Sequence, residues 1–222
     1  MKQAKQYLRK YFVMGSQDCL PNKEREGVTE SEQIKRAEET FLQAAQAGIT
    51  AFQFREKGKD ALDGQAKLDL AKRLRAHCRT YGIPFFINDD VDLIKPLQAD
   101  GVHVGQDDQS VAAIRKAYPN IEIGLSVGSR LELEQSRHLL PYIQYIGAGP
   151  VYETQSKSDA KEACGTEWIV SLKEILPEMP VVGIGGITVH NAQDVLEAGA
   201  DGLAVISAIT RASNIKQTVH QL

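Results

Sequence analysis

Ala51-Phe52-Gln53-Phe54-Arg55-Glu56-Lys57 is an apolar, aromatic run that ends abruptly in charge. Its composition predicts a β-strand. Gln53 and Arg55 lie two apart and share one strand face, while Phe52 and Phe54 take the other. With Phe54 turned toward a helical layer, Arg55 falls on the inner face at the strand's C-terminal end. Two later stretches repeat this placement. Asn88-Asp89-Asp90 follows Phe85-Phe86-Ile87, and Gly105-Gln106-Asp107-Asp108 follows Gly101-Val102-His103-Val104. Cations, an amide and carboxylates thus gather at the ends of successive strands.

Working outward, short apolar runs alternate with longer amphipathic ones. The predicted strands are 11–15, 51–55, 85–88, 101–105, 122–126, 145–149, 181–185 and 202–207. Helical spacing marks 32–47, 65–81, 110–118, 131–139, 166–176 and 191–198. Gly48 and Gly82 follow the first two as C-caps. The stretch 91–97 is too short to assign, and Pro96 ends it. Strands alternating with helices over 222 residues predict an α/β fold, a single-domain (β/α)8 TIM barrel spanning 1–222. A doubly wound open sheet is the competing architecture. Ala99-Asp100-Gly101-Val102 echoes Ala200-Asp201-Gly202-Leu203, as two matching barrel halves would, although Ala-Asp-Gly is also a common helix-to-strand turn. The basic segment of about 1–10 reads as a solvated extension.

Composition narrows the function classes. A net charge of −3 gives no general attraction to nucleic acid or anionic membrane. Cys19, Cys78 and Cys164 are widely spaced and lack a CxxC pattern, which argues against disulfides and zinc. The five histidines show no metal-binding spacing. Neither a signal-peptide core nor a membrane-length apolar run is present, so a cytoplasmic protein is expected. Oligomeric state is left open, a homo-oligomer included.

Each candidate group has a plain structural alternative. Arg55 suits an anionic ligand, because its planar fork matches phosphate oxygens, but it could also pair with Glu56. Lys57 adds a second cation. Asp89 or Asp90, and Asp107 or Asp108, could cap the helices that follow. Together, carboxylates on adjacent strand ends suit Mg²⁺, which takes one or two protein carboxylates and fills its shell with water and phosphate oxygens. Gly183-Ile184-Gly185-Gly186 and Val205-Ile206-Ser207 end the last two strands, where barrels often bind phosphate through backbone N–H groups. The 150–165 loop carries Thr154, Gln155, Ser156 and Lys157. Ser126 shares the inward face with Gly124; no histidine or cysteine is expected nearby to activate it, which argues against a serine nucleophile. His103 reads as a hydrogen-bonded barrel histidine.

The stretches YFVMGS, QFREKGKDAL, FFINDD, DGVHVGQDD, GPVYETQSK, VVGIGGIT and AVISAI occur in this order from Tyr11 to about Ala212. In this the chain resembles the thiamine phosphate synthase family. The resemblance implies a transferase that joins a pyrimidine methyl diphosphate to a thiazole ethyl phosphate and releases pyrophosphate by dissociative displacement. It assigns the pyrimidine diphosphate to Gln53, Phe54, Arg55, Glu56, Lys57 and Asn88, with Ser126 on the pyrimidine and Lys157 on its diphosphate. Arg55, Lys57, Ser126 and Lys157 would be catalytic. Asp89 and Asp108 would bind Mg²⁺. Thr154, Gln155, Ser156, Gly186, Ile206 and Ser207 would surround the thiazole phosphate. Two departures stand out. Val127-Gly128-Ser129 replaces a segment that often holds a histidine, and serine replaces the second threonine of Thr-x-Thr-Lys. The first departure weighs against a thiazole tautomerase of the same fold. A non-catalytic barrel binding thiamine precursors is the other rival; it should lack part of the diphosphate and metal set.

Overall fold

Eight parallel strands hydrogen-bond in sequence order, and the eighth returns to the first. The computed structural model describes residues 2–20, 27–154, 156 and 162–222, with the backbone alone at 2 and 3. The strands are β1 (Lys10–Met14), β2 (Ala51–Phe54), β3 (Phe85–Asn88), β4 (Gly101–Val104), β5 (Glu122–Ser126), β6 (Tyr145–Ala148), β7 (Val181–Ile184) and β8 (Gly202–Val205). The helices are α1 (Lys2–Tyr7), α2 (Glu30–Gln46), α3 (Gly64–Tyr81), α4 (Ile94–Leu97), α5 (Val111–Ala117), α6 (Arg130–Ser136), α7 (Glu167–Ile175), α8 (Ala192–Glu197), α9 (Ser207–Thr210) and α10 (Ile215–Gln221). The fold is the (β/α)8 barrel expected from the alternation, and the closed order excludes the open sheet.

Side chains alternate across each strand and split the core in two. Phe12, Phe52, Phe54, Phe85 and Ile87 face the helices. Tyr11, Val13, Ala51, Phe86, Tyr145, Val182 and Ala204 fill the barrel interior, so the centre is packed rather than a pore. Tyr145 meets Phe86 edge-on at 5.9 Å.

The start of the described chain corrects the expectation of a solvated extension. Lys2–Tyr7 form α1, and Ala4 and Leu8 are buried in the interior cluster. The Tyr7 hydroxyl donates to Glu122 at 3.0 Å, and Lys5 pairs with Asp201 at 3.0 Å. A Cβ on Gly202 would lie 1.9 Å from the Leu8 carbonyl oxygen, so the plug and the glycine are fitted to one another.

Opposite sides of the same barrel end carry the Ala-Asp-Gly echo. The Asp100 carboxylate accepts the Phe85 N–H at 2.7 Å, and Asp201 accepts the Val181 N–H at 2.9 Å. Each aspartate also pairs with a helix cation, Arg75 and Lys173 respectively. The repeat therefore satisfies the first N–H of the preceding strand twice.

Helix ends deviate for local reasons. α2 starts at Glu30 because Thr29 and Glu32 form a reciprocal capping box. α6 stops at Ser136 and continues as a 3₁₀ turn, Arg137–Tyr142, containing Pro141. The unassigned 91–97 stretch is a 3₁₀ turn, Val91–Leu93, running into α4. The last strand ends at Val205, and α9 begins at Ser207. α10 packs against α2 and α9; its short amphipathic pattern was not read from sequence.

Candidate active site

Every strand ends at the same mouth, so the charged groups that follow β2, β3 and β4 share one cavity. Arg55, the first residue past β2, is buried and lines it. Its N–H donates to the Met14 carbonyl at 2.9 Å, and its own carbonyl accepts from Gln17 Nε2 at 2.9 Å. Lys57 Nζ lies 2.7 Å from Asp89 Oδ2. Asp89 holds a left-handed backbone, φ 59°, a conformation that costs energy in a non-glycine residue. Its N–H donates to the His103 carbonyl at 2.9 Å, which ties the end of β3 to β4 and turns Asp89 into the cavity. Asp90 instead pairs with Lys67 at 2.8 Å.

Asp108 accepts the Gly105 N–H at 2.7 Å. Neither Asp107 nor Asp108 caps α5. Burial pushes the Asp108 carboxyl above its ordinary range, and the Asp89 carboxylate, within hydrogen-bond reach, pushes it further. Lys57 offsets part of the repulsion between these two carboxylates, and a further cation between them would offset more. The donors are hard oxygens, which fits Mg²⁺. Among the described residues no group of three or more His, Cys, Asp or Glu could hold a metal, so water and ligand oxygens would complete any coordination shell.

The opposite wall is backbone. Gly185 and Gly186 have φ of 96° and 66°, and a Cβ on either would meet Pro150 or Glu153 and Tyr152 at about 2.5 Å. Only glycine lets the 150–154 backbone lie this close. Ile206 and Ser207 continue this wall, with Thr154 and Ser156 beside it. The Ser156 N–H donates to Thr154 Oγ1 at 3.2 Å. Gln155 and Lys157 lie outside the described residues.

Asn88, Asp89, Asp108, Ser126, Thr154, Ser156, Gly186, Ile206 and Ser207 join Arg55 and Lys57 around the cavity. Gln53, Phe54 and Glu56 do not line it. Gln53 lies inside the barrel and donates to the Tyr11 hydroxyl at 3.0 Å. Phe54 stacks on Phe85 in the outer layer. Glu56 accepts from the Ser16 N–H and hydroxyl and from the Leu62 N–H, at 2.5 to 2.8 Å. It clamps the loops after β1 and β2 together, which accounts for its burial better than a pair with Arg55.

The expectation that Ser126 has no histidine beside it is corrected. His103 Nε2 lies 2.8 Å from Ser126 Oγ. The two are distant in sequence, but β4 pairs with β5 so that His103 faces Gly124, two residues before Ser126. The strand alternation at 101, 103 and 105 was the available signal. Gln106 and Glu132 were also missed. Gln106 Nε2 donates to the Ser126 carbonyl at 2.7 Å, and Glu132 accepts the Gly128 N–H at 2.7 Å. Cys164 is half-buried, and burial pushes its thiol up to about 11, which leaves it a poor nucleophile.

A family model described as thiamine monophosphate synthase matches residues 26–209. The chain is 52% identical over 222 residues to the thiamine-phosphate synthase of Oceanobacillus iheyensis, covering all of both chains. It is 43% identical over 218 residues to thiamine-phosphate synthase 1 of Streptococcus pneumoniae, covering 98% of this chain and 97% of that one. Among solved structures, thiamine phosphate pyrophosphorylase from Pyrococcus furiosus superposes with a TM-score of 0.80 at 31% identity, covering 98% and 95% of the two chains. A 3-hexulose-6-phosphate synthase at 14% identity and TM-score 0.57, covering 96% of this chain and 97% of that one, shares the fold alone. A match of this length and identity, on a barrel whose mouth carries these groups, settles the kinship: the chain belongs to the thiamine monophosphate synthase family and is a thiamine-phosphate synthase, a transferase of thiamine biosynthesis.

Proposed function

We propose that this transferase condenses 4-amino-2-methyl-5-(diphosphooxymethyl)pyrimidine with 4-methyl-5-(2-phosphoethyl)thiazole, or its carboxylated form, giving thiamine phosphate and pyrophosphate. The observation that carries the reading is the division of one cavity. Arg55, Lys57, Asp89 and Asp108 line one part, and Gly185, Gly186, Ile206 and Ser207 another. Two anionic ends of two substrates would thus be held apart with their reacting centres between them.

In the reaction the bond from the methylene carbon to the diphosphate oxygen breaks, and its electron pair leaves with pyrophosphate. The thiazole nitrogen then donates its lone pair to the methylene carbon, so no base is needed. The aminopyrimidine ring stabilises the cationic methylene, which favours the dissociative order. Arg55 and Lys57 offset charge growing on the leaving group. Lys57 would exchange part of its contact with Asp89 for phosphate oxygens, and Lys157 would add a third cation. Asp89 and Asp108 would hold Mg²⁺, whose chemistry when bound is to neutralise the departing pyrophosphate. The glycine wall, Ser207, Thr154 and Ser156 hold the thiazole phosphate, Gln155 lies in the same loop, and Asn88 orients the diphosphate. Fixing both partners in one mouth contributes proximity.

Exhaustive chelation followed by Mg²⁺ add-back tests the metal's part. Activity should vanish and return, and full turnover without divalent metal would rule out the role given to Asp89 and Asp108. The same oxygen-lined site, with Arg55 and Lys57 on the cavity wall, disfavours a non-catalytic binding barrel.

A further inference from the structure

Beneath the cavity floor runs an uninterrupted line of polar groups through an otherwise apolar interior. Gln53 Nε2 donates to the Tyr11 hydroxyl at 3.0 Å, Tyr11 and Tyr145 hydroxyls meet at 2.9 Å, Tyr145 lies 3.1 Å from His103 Nδ1, and His103 Nε2 lies 2.8 Å from Ser126 Oγ. The line draws on β2, β1, β6, β4 and β5 in turn. Glycines make room for it. A Cβ on Gly124 would come within 2.1 Å of Tyr145 Cζ and 2.5 Å of His103 Nδ1, and one on Gly147 within 2.8 Å of His103 Cε1. The two rings stack in that slot, with centroids 5.5 Å apart and planes at 28°.

Proton counting gives the line a direction. Burial raises both phenols well above their ordinary values, so each keeps one hydrogen. Gln53 donates to Tyr11, whose hydroxyl has two hydrogen-bond partners among the described residues, Gln53 and Tyr145. Its hydrogen must therefore go to Tyr145, or be buried without an acceptor. Tyr145 is then left to donate to His103 Nδ1. That nitrogen must be bare, so the ring's proton sits on Nε2 and points at Ser126 Oγ. Ser126 accepts from below, and its own hydrogen turns outward to the cavity it lines.

We propose that Gln53, Tyr11, Tyr145 and His103 form a directional relay that makes Ser126 an obligate hydrogen-bond donor toward an unprotonated ring nitrogen of the pyrimidine. His103 and the two tyrosines are positioning residues, acting through Ser126; the opposite polarity, with Ser126 donating to His103 as in a nucleophile–base pair, would require the Gln53 amide to be turned over so that its oxygen faces the Tyr11 hydroxyl. The identity of the acceptor rests on the function proposed above, whereas the relay itself does not.

Histidine-selective ¹⁵N NMR of the free enzyme tests the relay without substrate. With the His103 signals assigned by substitution, wild type should show a protonated-type Nε2 and a bare Nδ1, and Tyr145→Phe should lose this fixed tautomer. A proton on Nδ1 in wild type, or an unchanged tautomer in Tyr145→Phe, would overturn it. Kinetics test the consequence. His103→Leu should raise KM for the pyrimidine diphosphate about tenfold, the scale of one lost hydrogen bond, and leave KM for the thiazole phosphate unchanged. His103→Gln, whose Nε2 still donates, should restore most of the loss. Equal pyrimidine KM values in the Leu and Gln variants would contradict the assignment. An Nε2–H tautomer in an enzyme that forms no thiamine phosphate would sustain the relay and refute the proposed reaction.

Discussion

Arg55 reaches the cavity because the chain turns there. Its backbone is held by Met14 and Gln17, so its guanidinium is presented to the ligand already desolvated, where a cation acts more strongly than in water. Asp89 is presented by a strained backbone in the same manner. Arg55→Ala or Asp89→Ala should lower turnover by about 10²-fold or more, the usual scale for one charge-stabilising group; steady-state assays returning near-normal rates would refute these roles. Asp18 behaves differently. Its carboxyl accepts the Gly15 N–H at 2.9 Å, yet burial raises it to about 6 against an ordinary 3.8. A raised carboxyl contributes stability fully present below about pH 3.8 and lost as pH climbs through 6. Asp18→Asn should therefore stabilise the protein by about 1–2 kcal/mol at pH 8, after discounting for partial exposure, with the gain shrinking below pH 6 in chemical denaturation. A pH-independent difference would contradict this account. At this scale the sequence was legible where strand alternation alone decided direction, as for Arg55, Asn88 and Ser126. It was not legible for Glu56, whose partners Ser16 and Leu62 come from folded loops, nor for the meeting of His103 with Ser126, which depends on the β4–β5 register.

Strands were the most readable elements, since each is a short apolar run with a charged or glycine-rich end, and their predicted limits hold within two residues. Helix starts depended on capping, and Thr29-Glu30-Ser31-Glu32 carried a capping box that the apolar periodicity alone did not reveal. The basic start of the chain misled because its charge pattern hides Ala4 and Leu8, whose burial depends on a barrel floor that no local pattern encodes. Leu8 is fully buried, so Leu8→Ala should cost about 2–4 kcal/mol of stability, read as a lowered midpoint in urea. An unchanged midpoint would mean that α1 is a dispensable extension. The Ala-Asp-Gly echo, by contrast, was visible as a repeat, and its role emerged only when Asp100 and Asp201 were seen to cap the starts of β3 and β7.

For the molecule as a whole, closure of the barrel is what joins the parts. Residues 55, 89 and 108 meet 186 and 206 only because β8 pairs with β1. The architecture and the family were both legible, since eight strand–helix units leave few alternatives and the strand-end groups recur in order. In the proposed reaction this mouth couples the two phosphorylated substrates and expels pyrophosphate. The measurement that bears on it most directly mixes purified protein with the pyrimidine diphosphate, the thiazole phosphate and Mg²⁺, and quantifies thiamine phosphate and pyrophosphate by mass spectrometry. Equimolar formation of both products, abolished by omitting either substrate, is the predicted result. Failure to form thiamine phosphate, or pyrophosphate release with no thiazole incorporated, would contradict it.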